Sequence, residues 1–136
     1  MSAPFRHRLR VRYHECDPQG IVFNANYLAY ADIAITELYR DAFGSWDAAM
    51  AEHALDAVVA EANVRFRTPL RFDEEFDLVV TIPRLGETST TTRVEMERDG
   101  EMAAEVEVRH VFVDPEKLVK TAMPEKVRAT LARYAS

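Results

Sequence analysis

The sequence predicts an α+β domain, and three features carry that expectation. One long segment, Tyr27 to Phe43, reads as a helix that is apolar around most of its circumference. Four strand-like runs follow it, joined mostly by tight turns. At 136 residues the chain has room for one hydrophobic core and little more. Consecutive strands with short connections make an antiparallel sheet, and a helix apolar on most sides needs cover on several. A five-stranded curved sheet wrapped around the 27–43 helix meets both demands, with residues 1–136 forming a single domain.

Each element has a local reason. Over 6–13, Leu9, Val11 and Tyr13 share one face and Arg8, Arg10 and Arg12 the other, the period of a half-buried strand. His14 to Gly20 is irregular, and Asp17-Pro18-Gln19-Gly20 is turn chemistry. Alanines 29, 31, 34 and 42 with Leu28, Ile33, Ile35 and Leu38 favour the helix; Asn24 or Asn26 is placed to cap it and Gly44 to stop it. Ser45 to Glu52 reads as a short second helix or turn. In the next run Ala60, Ala62, Val64 and Phe66 alternate with Glu61, Asn63, Arg65 and Arg67. Phe76, Leu78, Val80 and Ile82 form the inward side of another strand, turned by Pro83 to Gly86. Residues 88–97 and 102–112 are two more strands, joined by Asp99-Gly100, a strong two-residue hairpin signal. Pro124 to Tyr134 reads as a final helix.

Composition excludes several classes. Net charge is −6 with pI about 5.2, so no global positive field draws in nucleic acid. The lone cysteine, Cys16, cannot make an intrachain disulfide or a Cys-x-x-Cys zinc site. No run of 18 apolar residues is present, so no membrane span is expected. The start, Met1 to Arg8, is not a secretory signal, and a cytoplasmic protein is the expectation. A serine-hydrolase elbow, a P-loop, a Gly-x-Gly-x-x-Gly turn and a His-Glu-x-x-His helix are all missing.

Chemistry concentrates in His14-Glu15-Cys16-Asp17. All four side chains can ligate metal, but four consecutive residues do not converge easily on one ion, and no metal is expected. Cys16 reads either as a nucleophile favoured by His14 or as a small buried thiol. Asp17 reads either as a plain turn residue before Pro18 or as a working carboxylate. The second reading gains from the helix that starts shortly after it. The first N–H groups of a helix lack internal partners and favour negative charge. A carboxylate beside such N–H groups suits acyl transfer, the N–H groups holding the oxyanion and the carboxylate attacking or activating water. A thiolate departs without needing a proton, since thiol pKa values lie at ~8–9. This sparse apparatus therefore suits a thioester better than an ester or amide.

The segment Val11 to Leu28, with Asp17, Gly20, Ile21, Val22, Asn26 and Tyr27 at the signature positions, resembles the 4-hydroxybenzoyl-CoA thioesterase family. Val64 to Glu74 is similar to that family's strand-to-turn segment. The resemblance implies the hotdog fold, an antiparallel sheet around the 27–43 helix. It implies an acyl-CoA thioesterase without a cofactor, assembled as a homodimer or dimer of dimers with a sheet continuous across the interface. It also implies Asp17 as the catalytic carboxylate, as nucleophile or general base, and the backbone N–H of Asn24 as oxyanion donor. Gly20, Val22, Phe23 and Tyr27 would line the substrate pocket, Tyr27 equally as a packing residue.

The chain departs from that pattern where some relatives hold CoA phosphates. Arg84 to Ser89 carries one basic residue, and Glu87 opposes an anion. CoA would instead meet Arg65, Arg67 or Arg71, or lie mostly in solvent. An acyl-carrier-protein donor and a non-catalytic acyl-binding protein remain the alternatives to acyl-CoA hydrolysis. Among other residues, Trp46 reads as packing, His110 as a satisfied core histidine and His53 as surface. Arg8, Arg10 and Arg12 read as a solvated strand face, and Glu101 to Glu107 as solvated or as a partner for that face in a neighbouring subunit.

Overall fold

The computed structural model describes residues 4–136; Met1 to Ala3, part of the start segment read above, lie outside them. Five strands, β1 (Phe5–Arg10), β2 (Asp56–Phe66), β3 (Glu75–Leu85), β4 (Ser89–Arg98) and β5 (Glu101–Val113), form one antiparallel sheet in the order β1-β3-β4-β5-β2. Helix α1 (Asn26–Phe43) packs on one side of it, flanked by α2 (Trp46–Glu52) and α3 (Glu125–Leu131). The protein has the hotdog fold that the sequence suggested.

The turn chemistry behaves as expected. Gly44 closes α1 at φ 77° with its N–H on Arg40 O. Asp99 and Gly100 both take positive φ, 53° and 79°, which the two-residue hairpin between Arg98 and Glu101 requires. The α1 start differs: neither asparagine side chain caps it, and Asn26 Nδ2 instead donates to Glu15 O at 2.8 Å.

The core lies between α1 and the concave sheet face. Tyr27, Tyr30, Ala31, Ala34, Ile35, Leu38 and Tyr39 are buried, the spacing of one helical face. They meet Phe76, Leu78, Val80, Val94, Met96, Val106 and Phe112. Within one chain the helix is therefore covered on one side only, and Leu28, Ala29, Asp32 and Thr36 stay exposed.

The first strand is shorter than its alternation suggested. It ends at Arg10, and Tyr13–Glu15 forms a 3₁₀ turn. The reason is Glu15, whose carboxylate reaches back to Arg12 N at 2.7 Å and pulls the chain out of extended geometry. Tyr13 consequently leaves the buried face and is 81% exposed.

The second strand also departs from its pattern. Its register on β5 shifts between Val59 and Glu61, leaving Ala60 as the extra residue of a bulge. Phe66, Val64 and Ala62 oppose the inward Ala104, Val106 and Val108, but beyond the bulge Val59, not Ala60, opposes inward His110. This inward face of an edge strand has little cover in one chain: Val59 is 61% and Phe66 56% exposed.

The convex face carries charge. Arg8 pairs with Asp77 and Glu75, Arg10 with Glu75 and Asp73, and Arg6 with Asp77 and Glu97. Arg93 takes Glu105 and Glu107. The arginine face is exposed, as expected, and it pairs with carboxylates of its own chain, while Glu105 and Glu107 pair with Arg93 rather than with Arg8, Arg10 or Arg12.

Candidate active site

Asp17 sits in the loop between the 3₁₀ turn and α1, half-buried. The loop is held locally. Asp17 N donates to Ile21 O at 2.9 Å, Gly20 N to Asp17 O at 3.0 Å, and Gln19 N to Asp17 Oδ1 at 2.8 Å. Gly20 takes φ 79°, which closes this turn. Gln19 engages only Oδ1; among the described residues nothing donates to Oδ2.

One side of Asp17 opens on a hollow of about 300 Å³ lined by Ile21, Val22, Asn24, Tyr27, Phe66 and Pro69, with Arg67 and Thr68 at its edge. Four of the expected residues, Asp17, Asn24, Val22 and Tyr27, therefore come together. Among the described residues the Asn24 N–H donates to no oxygen, so it is free to face a ligand at the helix entrance. Tyr27 is both wall and packing residue: its ring packs edge-on to Phe66 at 5.2 Å, and its hydroxyl accepts from Leu70 N at 3.2 Å.

Gly20 belongs to a second hollow on the other side of Asp17, lined also by Tyr13, His14, Cys16, Pro18 and Phe72. Phe23 lies outside both linings and is 49% exposed. Arg67 shares the first hollow with Asp17. Arg65 lines a charged groove on the convex face with Glu61, Asn63, Thr91, Glu105, Glu107 and Arg109. Arg67 and Arg71 are exposed, and among the described residues neither guanidinium has a carboxylate partner, although Arg71 N donates to Glu74 Oε1 at 2.7 Å.

The residue that sequence reasoning missed is Glu15. It is 8% exposed, yet fully partnered. Oε1 accepts from Arg12 N at 2.7 Å and from Tyr30 OH at 2.8 Å, and Oε2 from the Arg12 guanidinium at 3.2 Å. Its carbonyl accepts from Phe23 N at 3.0 Å and Asn26 Nδ2 at 2.8 Å. Burial pushes the Glu15 carboxyl up, but the bonds from Arg12 N, Tyr30 and the Arg12 side chain outweigh it and hold the group below its ordinary value. Burial and the Glu15 charge together push the Tyr30 hydroxyl well above its usual range, so it stays a donor. Glu15 thereby ties the Asp17 loop to the first two turns of α1. The one sequence signal was Arg12-x-x-Glu15, a spacing that lets the glutamate reach back over a turn.

Neighbouring side chains fall into place around this frame. Cys16 is half-buried, and burial with the Glu15 and Asp17 charges pushes its thiol up, away from the thiolate a nucleophile needs. Trp46 stacks on Tyr39 at 4.0 Å, a packing role. His53 is half-buried rather than surface. His110 is buried as expected, but among the described residues its Nδ1 has no partner, so it is not the satisfied histidine expected; Tyr39, Thr90 and Thr92 are likewise buried with hydroxyls unpaired among those residues.

One hollow is thus lined by a carboxylate with one open oxygen and by Asn24, whose backbone N–H has no partner among the described residues, groups of the kind acyl transfer uses. Comparison with known proteins agrees. The profile of the thioesterase-like superfamily matches residues 11–131. This chain belongs to the thioesterase-like superfamily. It is 33% identical over 127 residues to the acyl-CoA thioester hydrolase YbgC of Escherichia coli, covering 92% of this chain and 93% of that one. The fold of a thioesterase-superfamily protein from Jannaschia superposes with TM-score 0.90 at 21% identity, covering 98% of this chain and 94% of that one. A 1,4-dihydroxy-2-naphthoyl-CoA thioesterase from Synechocystis superposes with TM-score 0.85 at 14% identity, covering 95% and 96%. Among the described residues no helix is long and apolar enough to cross a membrane.

Proposed function

We propose that this protein is an acyl-CoA thioesterase that hydrolyses its substrate to free acid and CoA, with Asp17 as the catalytic carboxylate. The observation that carries the reading is one hollow walled by both the half-buried Asp17 and Asn24, whose N–H is unpartnered. The thioester carbonyl lies with its oxygen toward the Asn24 N–H, which stabilises the oxyanion as it forms. Asp17, through Oδ2, either takes the proton of the attacking water or attacks the carbonyl carbon itself, in which case the mixed anhydride left after the thiolate departs is cleaved by water to free acid and Asp17. The C–S bond then breaks and the electron pair leaves on sulfur. Val22 and Tyr27 form the acyl wall. Arg67, exposed at the rim and without a carboxylate partner, is the contact we assign to an anionic part of the donor. Arg65, across the sheet, serves only a CoA that wraps around the β2 edge.

A second copy completes the site. The inward face of β2 exposes Val59 and Phe66, and the open side of α1 exposes Leu28 at 44%, apolar side chains without cover in one chain. An edge strand with such a face supports pairing with a second copy of the chain as a homodimer, or a dimer of dimers. We place the enzyme in the cytoplasm, a compartment that suits a lone free thiol at Cys16.

The test is turnover of short, long and aromatic acyl-CoA thioesters by wild type and Asp17→Asn. The expected result is loss of kcat by a factor of at least about a hundred with the fold intact. Equal turnover by both proteins removes Asp17 from the mechanism, and no turnover of any thioester by wild type removes the hydrolase reading.

A further inference from the structure

Asn26 stands where a capping side chain is expected, yet it does not serve its own helix. The α1 start has no side-chain cap, and Asn26 Nδ2 donates to Glu15 O at 2.8 Å. Phe23 N donates to the same oxygen at 3.0 Å. One carbonyl therefore anchors the chain on both sides of Asn24, which lines the acyl hollow and whose N–H has no partner among the described residues. The same carbonyl stands two residues before Asp17. Asp17 N donates to Ile21 O at 2.9 Å, and Cys16 bridges Val22, so residues 15–17 and 21–23 make a short antiparallel ladder. That ladder holds Asp17 against Phe23 and ends there. Two bonds lie beyond it, Asn26 N to Phe23 O at 2.9 Å and Tyr27 N to Asn24 O at 3.3 Å, and both stay within the helix entrance. Tyr30 holds the Glu15 side chain from a turn further on. At Asn24 itself the Asn26 side chain closes the ring, tying the residue two before Asp17 to the residue two after Asn24.

We infer that Asn26 is a positioning residue of the proposed hydrolysis, holding the Asn24 N–H at a fixed reach from the Asp17 carboxylate through Glu15 O. The inference rests on the roles proposed for Asp17 and Asn24. A donor stabilises an oxyanion when it is already aimed at the place where the charge develops, and that charge is absent from the bound substrate. Loosening Asn24 therefore slows the chemical step and leaves substrate binding as it was. A misplacement of about 1 Å can lower a rate roughly a hundredfold. Without the Asn26 bond, the Phe23 bond still holds one side of Asn24, so a smaller loss of about tenfold is expected.

The experiment measures turnover of one acyl-CoA by wild type, Asn26→Ala and Asn26→Asp. Aspartate keeps the shape of the side chain, but its carboxylate only accepts hydrogen bonds, so it separates the lost donor from lost packing. Both variants are expected to lower kcat about tenfold with KM unchanged. Backbone ¹⁵N relaxation at Asn24 gives a second readout that turnover does not enter. Its order parameter should fall from the ~0.85 of rigid backbone toward ~0.6 in both variants. If Asn26→Ala does not fold, Asn26→Asp decides, because an acidic residue suits the first turn of a helix. Wild-type kcat in Asn26→Asp, a loss that falls on KM alone, or an unchanged Asn24 order parameter overturns the inference. An inactive Asp17→Asn in the same assay leaves the hydrolase reading standing in each of those cases. If wild type turns over no thioester, the hydrolase reading fails and this role falls with it.

Discussion

Replacing Tyr30 by Phe removes one hydroxyl and leaves the buried ring in place. The hydroxyl donates to Glu15 Oε1 at 2.8 Å, a hydrogen bond to a charged acceptor in a site that is 8% exposed. Such bonds contribute roughly 1.5–3 kcal/mol. Glu15 keeps its bonds from Arg12 N and the Arg12 guanidinium, so the loss belongs at the low end, about 2 kcal/mol. For a chain of this length that lowers Tm by roughly 4–8 °C. The pH dependence follows from the sign of the Glu15 shift. Its folded-state carboxyl lies below the ordinary value of 4.5, so its stabilisation is present above that value and is lost as pH falls through it. Tyr30 is one cause of the lowering, so the stability difference between wild type and Tyr30→Phe is full at neutral pH and shrinks in acid. Urea unfolding at pH 7 and at about pH 3.5 measures this directly. Because Glu15 also joins the Asp17 loop to α1, kcat of the folded variant falls with little change in KM. A difference that is absent at pH 7, or that stays constant into acid, refutes the reasoning.

Other consequences are measurable with single substitutions. Gly20→Ala places a side chain at φ 79°, which costs roughly 1–2 kcal/mol by thermal unfolding although no atom is struck. Burial holds the His110 imidazole below its ordinary value of 6.5, against a smaller opposing pull from Asp32, so the unfolded chain takes the proton first. Stability should therefore fall by up to about 1.4 kcal/mol per pH unit below 6.5, and His110→Gln should flatten that limb in urea melts. Val59→Lys puts a charge on the inward face of the β2 edge, and light scattering should then report a monomer where wild type gives the larger species.

Much of the architecture was legible because the relevant signals are local. Gly44, Asp99 and Gly100 all take backbone conformations that their residue types favour, so the turns fell where the sequence put them. β4 alternates cleanly because one side is core and the other is half-exposed, and β3 follows the same alternation except at Val79, which is buried between Leu78 and Val80. What escaped was non-local. The β2 bulge is fixed by register against β5, and nothing in Val59-Ala60-Glu61 marks which residue is extra. Tyr13 continues the apolar alternation of β1, yet the bonds that close the turn, Glu15 N to Arg12 O and Arg12 N to the Glu15 carboxylate among them, outweigh that pattern. In the site, Asp17, Val22, Asn24 and Tyr27 lie within one contiguous stretch, and residues near in sequence at a helix entrance stay near in space. Phe66 and Phe72 arrive from the strand and loop across the sheet, a contact no spacing argument gives. Glu15 was hidden for a further reason: a charged residue among polar neighbours reads as surface until the hydroxyl of Tyr30, a full helix turn beyond Asn26, is seen to meet it.

The chain's size ties these points together. The core uses one face of α1 and the concave sheet, and both are exhausted by residues such as Leu38, Phe76 and Phe112 at 0–1% exposure. Nothing is left to close the acyl hollow, which opens beside Phe66 at 56% exposure. Apolar area of this kind favours burial by roughly 25 cal/mol per Å², so under the proposed dimer the same surface that leaves the cleft open would drive the association that closes it. Assembly and activity should therefore be lost together. Dilution of the wild-type enzyme, and Val59→Lys at any concentration, should lower specific activity in step with the loss of the larger species. A monomeric Val59→Lys protein with wild-type kcat/KM would show that one chain builds the whole cleft, and the apolar face of β2 would then need another explanation.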